Sequence, residues 1–376
     1  MSAEREARAA LSAVVEPGDE RVAERLEKAG AEAAWHAVRG GDDGVDPTGL
    51  LRRRSEHADG AEILERAEGL GVRYLCPGEP GWPEPLLATA ATMAFGTDRV
   101  PPPFGLYLRG EADLAASVRS AVAVVGARSA TRYGERVGSD LAADLALAGW
   151  TVVSGAAYGI DAVAHRGALA LGGITIAVLA SGVDVPYPRA HADLLDRIAA
   201  NGLVVSEVPP GSRPMRSWFI ARNRIIAALT AGTVVVEAAA RSGALNTARW
   251  ADKLSREVLA VPGPVTSSQS AGCHTLIRDR GARLVADATD VLDAVGRLGG
   301  DAAPLRQSET RPIDLLRPVQ RLVRERMVAD GPSSVEMLTQ ATGLDAVSLR
   351  RVLRELTIAG WVSEVPGGWR LGSPGP

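Results

Sequence analysis

The sequence predicts an α/β protein built on an extended Rossmann-like, doubly wound and mostly parallel sheet. From Ser120 onward, short apolar segments such as AVAVVG, TVVSG, TIAVLA and TVVVEA alternate with amphipathic helical stretches. Apolar segments without polar alternation are typical of strands that are buried on both faces. Regular alternation of such strands with helices is typical of a parallel sheet covered by helices on both sides.

The segments on either side of this α/β pattern predict smaller, separate regions. The first 70 residues show helical spacing broken by glycine and proline, and Pro-rich segments then lead to a short strand at Leu106–Arg109. Near the C-terminus, three helical stretches precede a hairpin with Gly367 and Gly368 at its turn, the order of a winged helix. The predicted regions are a helical region 1–70, the sheet domain 71–296, a polar linker 297–312 and a winged-helix domain 313–373.

Composition restricts the class of protein. The chain has 376 residues, a net charge of −3 and 46% hydrophobic residues, which suits about two to three domains with proper cores. We expect no signal peptide and no membrane span, because the N-terminus is charged and apolar runs are short. Two cysteines favour a reducing cytoplasm. The net charge disfavours a polycation that coats nucleic acid but allows a local basic site.

Glycines and polar side chains follow four of the predicted strands. In an open parallel sheet the carboxyl ends of the strands form the ligand-binding edge. Free backbone N–H groups at Gly-rich helix starts bind anions, so we expect phosphate there. The nearby arginines are Arg128, Arg189, Arg222 and Arg241. The loop residues in question are Gly126, Ser129, Ser154, Gly155, Gly159, Ser181, Gly182, Ser242, Gly243 and Thr247.

One predicted helix, FIARNRIIAAL, carries two arginines in an apolar context. At about 100° per residue, Arg222 falls near the centre of the apolar side and Arg224 nearly opposite, with Asn223 on the flank. A guanidinium group on the apolar side is costly unless an anion or hydrogen-bond acceptors meet it. We interpret Arg222 as a residue that faces a phosphate at the sheet edge.

Catalytic and metal sites find little support. The first loop lacks the GxGxxG pattern of dinucleotide-binding proteins. Ser154, Asp161 and His165 suggest a hydrolase triad, but the GxSxG motif is missing, and Asp161 suits the first turn of a helix. The histidines and cysteines lack metal-ligand spacing. We therefore predict no catalytic residue, no metal and no cofactor.

Several motifs, in order, closely resemble the DprA (Smf) family of DNA-processing proteins of bacterial transformation. They include VVGARSATRYG, VVSGAAYGIDAVAHRGAL, TIAVLASGVDVPYPRAH, LVVSEVPPG, FIARNRIIAALTAGTVVVEAAARSGALNTARWA and GCHTLIRDRGARLV, within about residues 70–295. The resemblance implies a non-enzymatic, dimeric binder of single-stranded DNA that protects incoming strands and loads the RecA recombinase. It also implies an N-terminal region similar to a sterile alpha motif or a helix-hairpin-helix, and a winged-helix domain.

The resemblance also implies which residues bind DNA. Its motifs correspond to Gly126, Arg128, Arg189, Arg222, Asn223, Arg224, Ser242, Gly243 and Thr247. Two positions depart from the family pattern, since Ile220 stands where proline is common and Asn246 where an aliphatic residue is common. Few aromatic rings are available for stacking on bases, because aromatic residues make up only 4% of the chain. The rings near the loops, which suit either the core or stacking, are Tyr133, Tyr158, Tyr187, Trp218 and Phe219.

Two other classes of protein remain as alternatives. A Rossmann-like nucleotide-binding enzyme of the phosphoribohydrolase type would use Glu237, at a strand end, as its acid. The PGGxGT arrangement of such enzymes is missing from this sequence. A DNA-binding regulator would instead use the winged helix, in which Arg350, Arg351 and Arg354 lie on a plausible recognition helix. The same element often serves protein interaction.

Overall fold

The structure is a computed structural model, and its chain divides into two compact units, Met1–Ala303 and Pro304–Pro376. The division falls within residues 297–312, the predicted linker. That linker lies outside the described residues, as does part of the predicted Pro-rich segment. The structure describes residues 2–84, 101–296, 313 and 316–372.

The N-terminal residues form short helices around a small core. Capping side chains start three of these helices, since Ser2, Asp19 and Asp59 each accept hydrogen bonds from backbone N–H groups of the first turn. Gly30, at a φ of 83°, separates the second helix from the third. The helices are α1 (Ala3–Val14), α2 (Glu20–Ala29), α3 (Ala31–Gly40), α4 (Leu50–Ser55) and α5 (Gly60–Gly69).

Within the described residues, nine strands form one sheet in the order β1-β2-β6-β5-β4-β3-β7-β8-β9. Strands β3 to β9 pair in parallel, whereas β2 pairs antiparallel with β1 and with β6. The prediction of a large, mostly parallel sheet is therefore confirmed. The strands are β1 (Arg73–Leu75), β2 (Leu106–Arg109), β3 (Ala121–Val125), β4 (Thr151–Ser154), β5 (Thr175–Leu179), β6 (Leu203–Ser206), β7 (Gly232–Val235), β8 (Glu257–Ala260) and β9 (Arg283–Leu284).

Helices cover both faces of this sheet. Because successive strand residues point to opposite faces, Val152 and Val153 of β4 belong to two different core clusters. One cluster includes Ile225 of α10, and the other includes Leu141 of α7. The helices are α6 (Leu114–Ser117), α7 (Arg132–Leu147), α8 (Ile160–Ala170), α9 (Ala192–Asn201), α10 (Arg216–Ala228), α11 (Ala244–Lys253), α12 (Ala271–Arg280) and α13 (Ala288–Val295).

The strand order places a topological switch point beside β3. Strands β4, β5 and β6 follow on one side of β3, and β7 and β8 follow on the other side. The connections leaving the carboxyl ends of β3 and β7 therefore separate from each other and open a crevice. Ligands of open α/β sheets bind in such crevices.

The second unit contains three helices and an antiparallel hairpin. Apolar side chains from all of these elements form its core, among them Val323, Leu338, Leu353 and Trp361. Ser333 pairs with Trp369 of the hairpin through an isolated antiparallel bridge. The elements are α14 (Pro318–Glu325), α15 (Val335–Thr342), α16 (Ala346–Ile358), β10 (Val362–Val365) and β11 (Gly368–Leu371).

His165 of α8 is a buried, neutral residue of the sheet domain. Thr175 donates its hydroxyl to the Val152 carbonyl, so the same oxygen accepts a hydrogen bond from Nδ1 of His165, 2.7 Å away. Its Nε2 is buried without a hydrogen-bond partner. Burial, with smaller contributions from His191 and Arg222, lowers the pKa of His165 to about 3.

We expect His165 to make stability depend on pH. Its pKa is lower in the folded protein than the unfolded value of 6.5, so the unfolded chain binds the proton first as pH falls. Stability is lost from about pH 6.5 downward, and the loss at pH 5 relative to pH 7 is about 2 kcal/mol. Urea denaturation of the wild type and of His165→Gln at both pH values measures this difference. Equal pH dependence of the two proteins would contradict the assignment.

Candidate nucleic-acid interface

A cavity of about 400 Å³ lies at the switch point of the sheet. Its walls come from the loops that follow β3 and β7 and from helix α10. Many of the predicted site residues line it together, although they are spread over more than 120 positions of the chain. They are Gly126, Arg128, Ser129, Arg222, Asn223, Ser242, Gly243 and Thr247.

The loop after β3 forms an exposed rim of the cavity. Arg128 and Ser129 are exposed there, while Ala127 is buried and donates its N–H to the Glu237 carbonyl at 2.7 Å. Gly126 is required by close packing, because a Cβ at this position would lie 2.5 Å from Ile160. The loop is thus held tightly at its base and presents one guanidinium group and one hydroxyl group to solvent.

Glu237 is a structural residue, not a free acid. Its carboxylate is buried and accepts hydrogen bonds from the backbone N–H of Thr131 at 2.9 Å and from the Thr131 hydroxyl at 2.7 Å. A side chain at Gly134 would collide with this carboxylate. Glu237 therefore joins the end of β7 to the start of α7, and these contacts do not favour the role of acid in a phosphoribohydrolase.

Arg222 forms the floor of the cavity. Its side chain is buried, and Nη1 donates to the carbonyls of Gly155, at 2.8 Å, and Val178. Its Nε donates to the side-chain oxygen of Asn223 at 3.2 Å. Gly155 is needed for this approach, since a Cβ there would lie 2.4 Å from the guanidinium group. Carbonyl groups at the ends of β4 and β5 therefore accept hydrogen bonds from the guanidinium group of α10, which is buried between the helix and the sheet.

The loop after β4 binds a carboxylate of the protein itself. Ala156 adopts a φ of 53°, and the N–H groups of Gly155 and Ala157 on either side donate to Asp161 at 3.1 and 3.3 Å. Convergent N–H groups of this kind form an anion-binding nest. The prediction that Ser154, Gly155 and Gly159 leave N–H groups free for an external anion is wrong for Gly155, whose N–H donates to Asp161. Ser154 is fully buried, and its hydroxyl donates to the Val124 carbonyl at 2.7 Å.

Asp161 and Arg222 influence each other's ionisation. Burial lowers the pKa of Arg222 to about 10, and the negative charge of Asp161 opposes that shift. Arg222 is consequently protonated at neutral pH. Burial also raises the pKa of Asp161, against the opposing effects of Arg222 and of the two loop N–H groups. The cavity floor thus has a cation near a largely buried carboxyl group, and both residues line the cavity.

Asn223 and Asn246 connect α10 to the start of α11. The side-chain amide of Asn223 donates to the Asn246 side-chain oxygen at 3.2 Å. Asn246, one of the two departures from the family pattern, therefore makes a polar contact with α10. Thr247 is buried beside the cavity, whereas Arg241 and Gly243 are exposed.

Arg224, a predicted DNA contact, lies outside the cavity lining. Its side chain is 2% exposed and forms an ion pair with both carboxylate oxygens of the buried Glu207. Its Nε donates to the Pro101 carbonyl at 2.7 Å. The prediction of a DNA contact is corrected for this residue, because its donors are directed to protein acceptors in the core. Arg189 is exposed at the start of a short 3₁₀ helix that follows β5, also outside the cavity lining.

Aromatic rings extend the rim beyond Arg128. The Arg128 guanidinium carbon lies 5.6 Å from the centre of the Phe219 ring, and the Tyr187 ring lies 5.1 Å from Phe219. Tyr158 contacts His191 edge-on at 4.9 Å. Tyr187 and Tyr158 are 46% and 50% exposed, so both have ring surface available to a ligand. No pattern in the sequence indicated that Arg128 and Phe219 would meet.

The two other rings named from the sequence have structural partners. The Tyr133 hydroxyl donates to the Pro262 carbonyl at 2.6 Å. The Trp218 ring nitrogen donates to Glu16, which follows α1. Gly18 lies close to Ala221 in the same area. The N-terminal helical region therefore packs against helix α10, the helix that carries Arg222.

The fold and this edge of the sheet define a Rossmann-type protein. Its crevice has arginine and aromatic side chains at the mouth and the Asp161 carboxyl group, bound by loop N–H groups, at the floor. A model of the DNA recombination-mediator protein A family matches residues 73–296. The DNA processing protein DprA of Mycobacterium tuberculosis is 44% identical over 370 residues, which cover 96% of this chain and 92% of that protein. The chain belongs to the DNA recombination-mediator protein A (DprA/Smf) family.

Further relatives agree with this assignment. The protein Smf of Escherichia coli is 39% identical, with 71% of each chain covered. The crystal structure of DprA from Streptococcus pneumoniae matches with a TM-score of 0.64 and 31% identity, over 79% of this chain and 99% of that chain. A DprA from Helicobacter pylori, described for its single-stranded DNA binding mode, matches with a TM-score of 0.50 and 26% identity, over 59% and 94%.

The described residues offer neither a membrane-spanning helix nor a metal cluster. Helices in those ranges are too short or too polar to cross a bilayer. The same residues contain no group of three or more histidine, cysteine or acidic side chains placed to hold a metal ion. Cys76 and Cys273 are buried free thiols.

We expect removal of one partner of the buried Arg224–Glu207 pair to be strongly destabilising. Glu207→Ala leaves a buried guanidinium group without its carboxylate, and the free energy of unfolding should fall by about 3 kcal/mol. Urea denaturation measures the change. Asp279→Ala is the control, because it breaks an exposed pair with Arg278 and should change stability by less than about 1 kcal/mol. Similar small effects of both substitutions would contradict the expectation.

Proposed function

We propose that this protein binds single-stranded DNA at the switch-point cavity, protects incoming strands and acts in DNA uptake and transformation. The observation that carries the proposal is the exposed Arg128 guanidinium group in contact with the Phe219 ring at the mouth of the cavity. A cation for the backbone and a ring for a base are the two elements that single-strand binding proteins combine. The single-strand binding described for the Helicobacter pylori relative supports the same ligand.

The contacts divide into backbone and base contacts. Arg128 and Ser129 at the rim, with Ser242 and Gly243 across the cavity, are placed to bind phosphate oxygens. Arg222 contributes positive charge from the floor and, through its buried hydrogen bonds, keeps the walls in place. Asn223 and Thr247 complete the polar lining, and Arg189 is proposed to contact the strand where it leaves the cavity.

The aromatic rings suit base stacking without sequence preference. Every base has a flat π-face, so a ring accepts any of them. Phe219 and Tyr187 lie side by side, and Tyr187 has the larger exposed fraction. We infer that successive bases pack along these rings while the backbone follows the arginine side of the mouth.

Family membership supports further parts of the proposal. We infer that the protein is a cytoplasmic homodimer that loads RecA on the bound strand for homologous recombination. We also infer that residues 313–373 form a winged-helix domain, since three helices and a hairpin follow in that order. Residues 1–70 are proposed to be a region similar to a sterile alpha motif or helix-hairpin-helix, and residues 297–312 a linker between units.

A binding role without catalysis agrees best with the chemistry of the cavity. Both oxygens of Glu237 accept hydrogen bonds from Thr131, and one oxygen of Asp161 accepts hydrogen bonds from the N–H groups of Gly155 and Ala157, so both carboxyl groups already have protein partners. His165 hydrogen-bonds to Thr175 inside the core and does not line the cavity. We therefore propose no catalytic residue and no cofactor.

We expect Arg128→Ala to weaken binding of a ~30-nucleotide single strand by about 1–3 kcal/mol. The slope of log affinity against log salt should fall by about 0.7, the value for one phosphate contact of a single strand. Fluorescence anisotropy across a salt series measures both. Arg136→Ala is the matched control, since Arg136 is an exposed arginine of α7 that pairs with Asp140. Unchanged affinity and slope in Arg128→Ala would exclude the rim as the phosphate site.

We expect Phe219→Ala to weaken the same binding by about 1–3 kcal/mol while leaving the salt slope unchanged, because a stacked ring releases no counterions. Phe219→Trp should keep most of the affinity, since it keeps a flat ring. The anisotropy series used for Arg128 serves here as well. A smaller salt slope in Phe219→Ala, or equal losses in the alanine and tryptophan variants, would show that the ring acts only through packing.

A further inference from the structure

Helix α16 of the second unit has an exposed, positively charged face. At about 100° per residue, Val347, Arg350, Arg351, Arg354 and Ile358 fall within about 100° of one another. All five are exposed, with Val347 at 80% and Ile358 at 83%. This exposed α16 face, as defined by these five residues, lies opposite the side that packs into the core of the unit.

The core side of α16 fixes the direction of this face. Leu349, Val352, Leu353 and Leu356 are buried among the side chains of the other helices and of the hairpin. The helix is therefore locked in rotation, and its arginines project to the outside. Among the described residues, Arg350, Arg351 and Arg354 have neither a hydrogen bond nor an ion pair from their side chains, so their guanidinium groups are available to a partner.

The positive charge is concentrated on this face. Between residues 313 and 372 the sequence has eight arginines and seven acids, a difference of only +1, whereas three arginines lie on one side of α16. The acid of the helix, Glu355, falls about 80° from Val347 on the flank. It forms an ion pair with Arg317 and accepts a hydrogen bond from Gln320 at 3.1 Å. Its carboxylate is thus engaged by Arg317 and Gln320 and not by the three arginines.

Two of the N–H groups at the start of α16 are occupied by a carboxylate of the protein. Asp345 caps the helix and accepts hydrogen bonds from the N–H groups of Val347, at 3.0 Å, and Ser348, at 2.9 Å. These hydrogen bonds lower the pKa of the Asp345 carboxyl group. The Asp345 carboxylate therefore disfavours an anion at the helix terminus, and the side chains of the exposed face are the cationic groups that α16 offers.

We propose that the exposed α16 face is a second nucleic-acid site, which binds the backbone and major groove of duplex DNA. The major groove is about 12 Å wide and admits one α-helix. Three guanidinium groups along a helix suit rows of phosphate oxygens, because each can donate two hydrogen bonds to one phosphate. Val347, at the N-terminal end of the helix, is placed where recognition helices contact base edges, and an apolar side chain there can contact a thymine methyl group.

The test compares duplex binding by the full chain and by the triple variant Arg350→Ala, Arg351→Ala and Arg354→Ala. We expect duplex affinity to fall at least tenfold, and the salt slope to fall by about 0.9 for each phosphate that the variant no longer binds. A triple lysine variant should keep most of the affinity. The control variant, with the same charge change, is Arg25→Ala, Arg39→Ala and Arg53→Ala on the exposed surface of the N-terminal helices.

The same titrations separate this proposal from the single-strand site. Arg128→Ala should leave duplex affinity within about twofold, while the triple α16 variant should leave most single-strand affinity intact. The proposal is overturned if the full chain does not bind duplex, or if the triple α16 variant binds it as well as the wild type. An equal loss in the control triple variant would also overturn it, since the effect would then follow from net charge.

Discussion

The buried guanidinium group of Arg222 is the interaction on which the switch-point cavity depends. It reaches the carbonyl groups of Gly155 and Val178, at the ends of two neighbouring strands, from a helix on one face of the sheet. Burying a charged group without partners costs several kcal/mol, so these acceptors are a condition for placing α10 where it is. Glycine at position 155 leaves the space, and Asp161 supplies the opposite charge. The position of α10 in turn sets Phe219 beside Arg128.

A second set of contacts fixes α10 from its other side. Arg224 binds Glu207, which follows β6, and the Pro101 carbonyl, while Trp218 binds Glu16 of the N-terminal region. Helix α10 therefore has one buried arginine directed to the cavity floor and another directed to the N-terminal side. The helix cannot rotate or slide without breaking one of these sets. Such a rigid support favours a binding site whose rim residues must keep their relative positions.

The sequence predicts the sheet well because unbroken apolar strands and amphipathic helices report burial directly. The sequence also predicts correctly which loops lie near one another, since the carboxyl ends of parallel strands must share one edge of the sheet. The partners of polar groups were harder to predict. The glycines after β4 suggested a site for an external phosphate, yet the nest binds Asp161, only a few residues along the chain. A loop that binds an external anion and a loop that binds a carboxylate of its own protein have the same residue composition and spacing. The sequence therefore does not distinguish the two.

Arg222 and Arg224 show the same limit at the level of single residues. Their spacing correctly predicts that they lie on opposite sides of one helix, but not that both are buried with protein acceptors. A buried arginine next to a cavity can still act on a ligand through its charge, because its field is weakly screened where water is excluded. Arg222 differs from Arg224 in this respect. Glu207 forms a direct ion pair with Arg224 and neutralises its charge, whereas Asp161 only weakens the field of Arg222. Removing Arg222 would also take away the positive charge near Asp161 and the donor to the carbonyls of Gly155 and Val178, so loss of DNA binding in such a variant would have two causes. Arg128, exposed at the rim, is the residue whose removal isolates the contact with the strand.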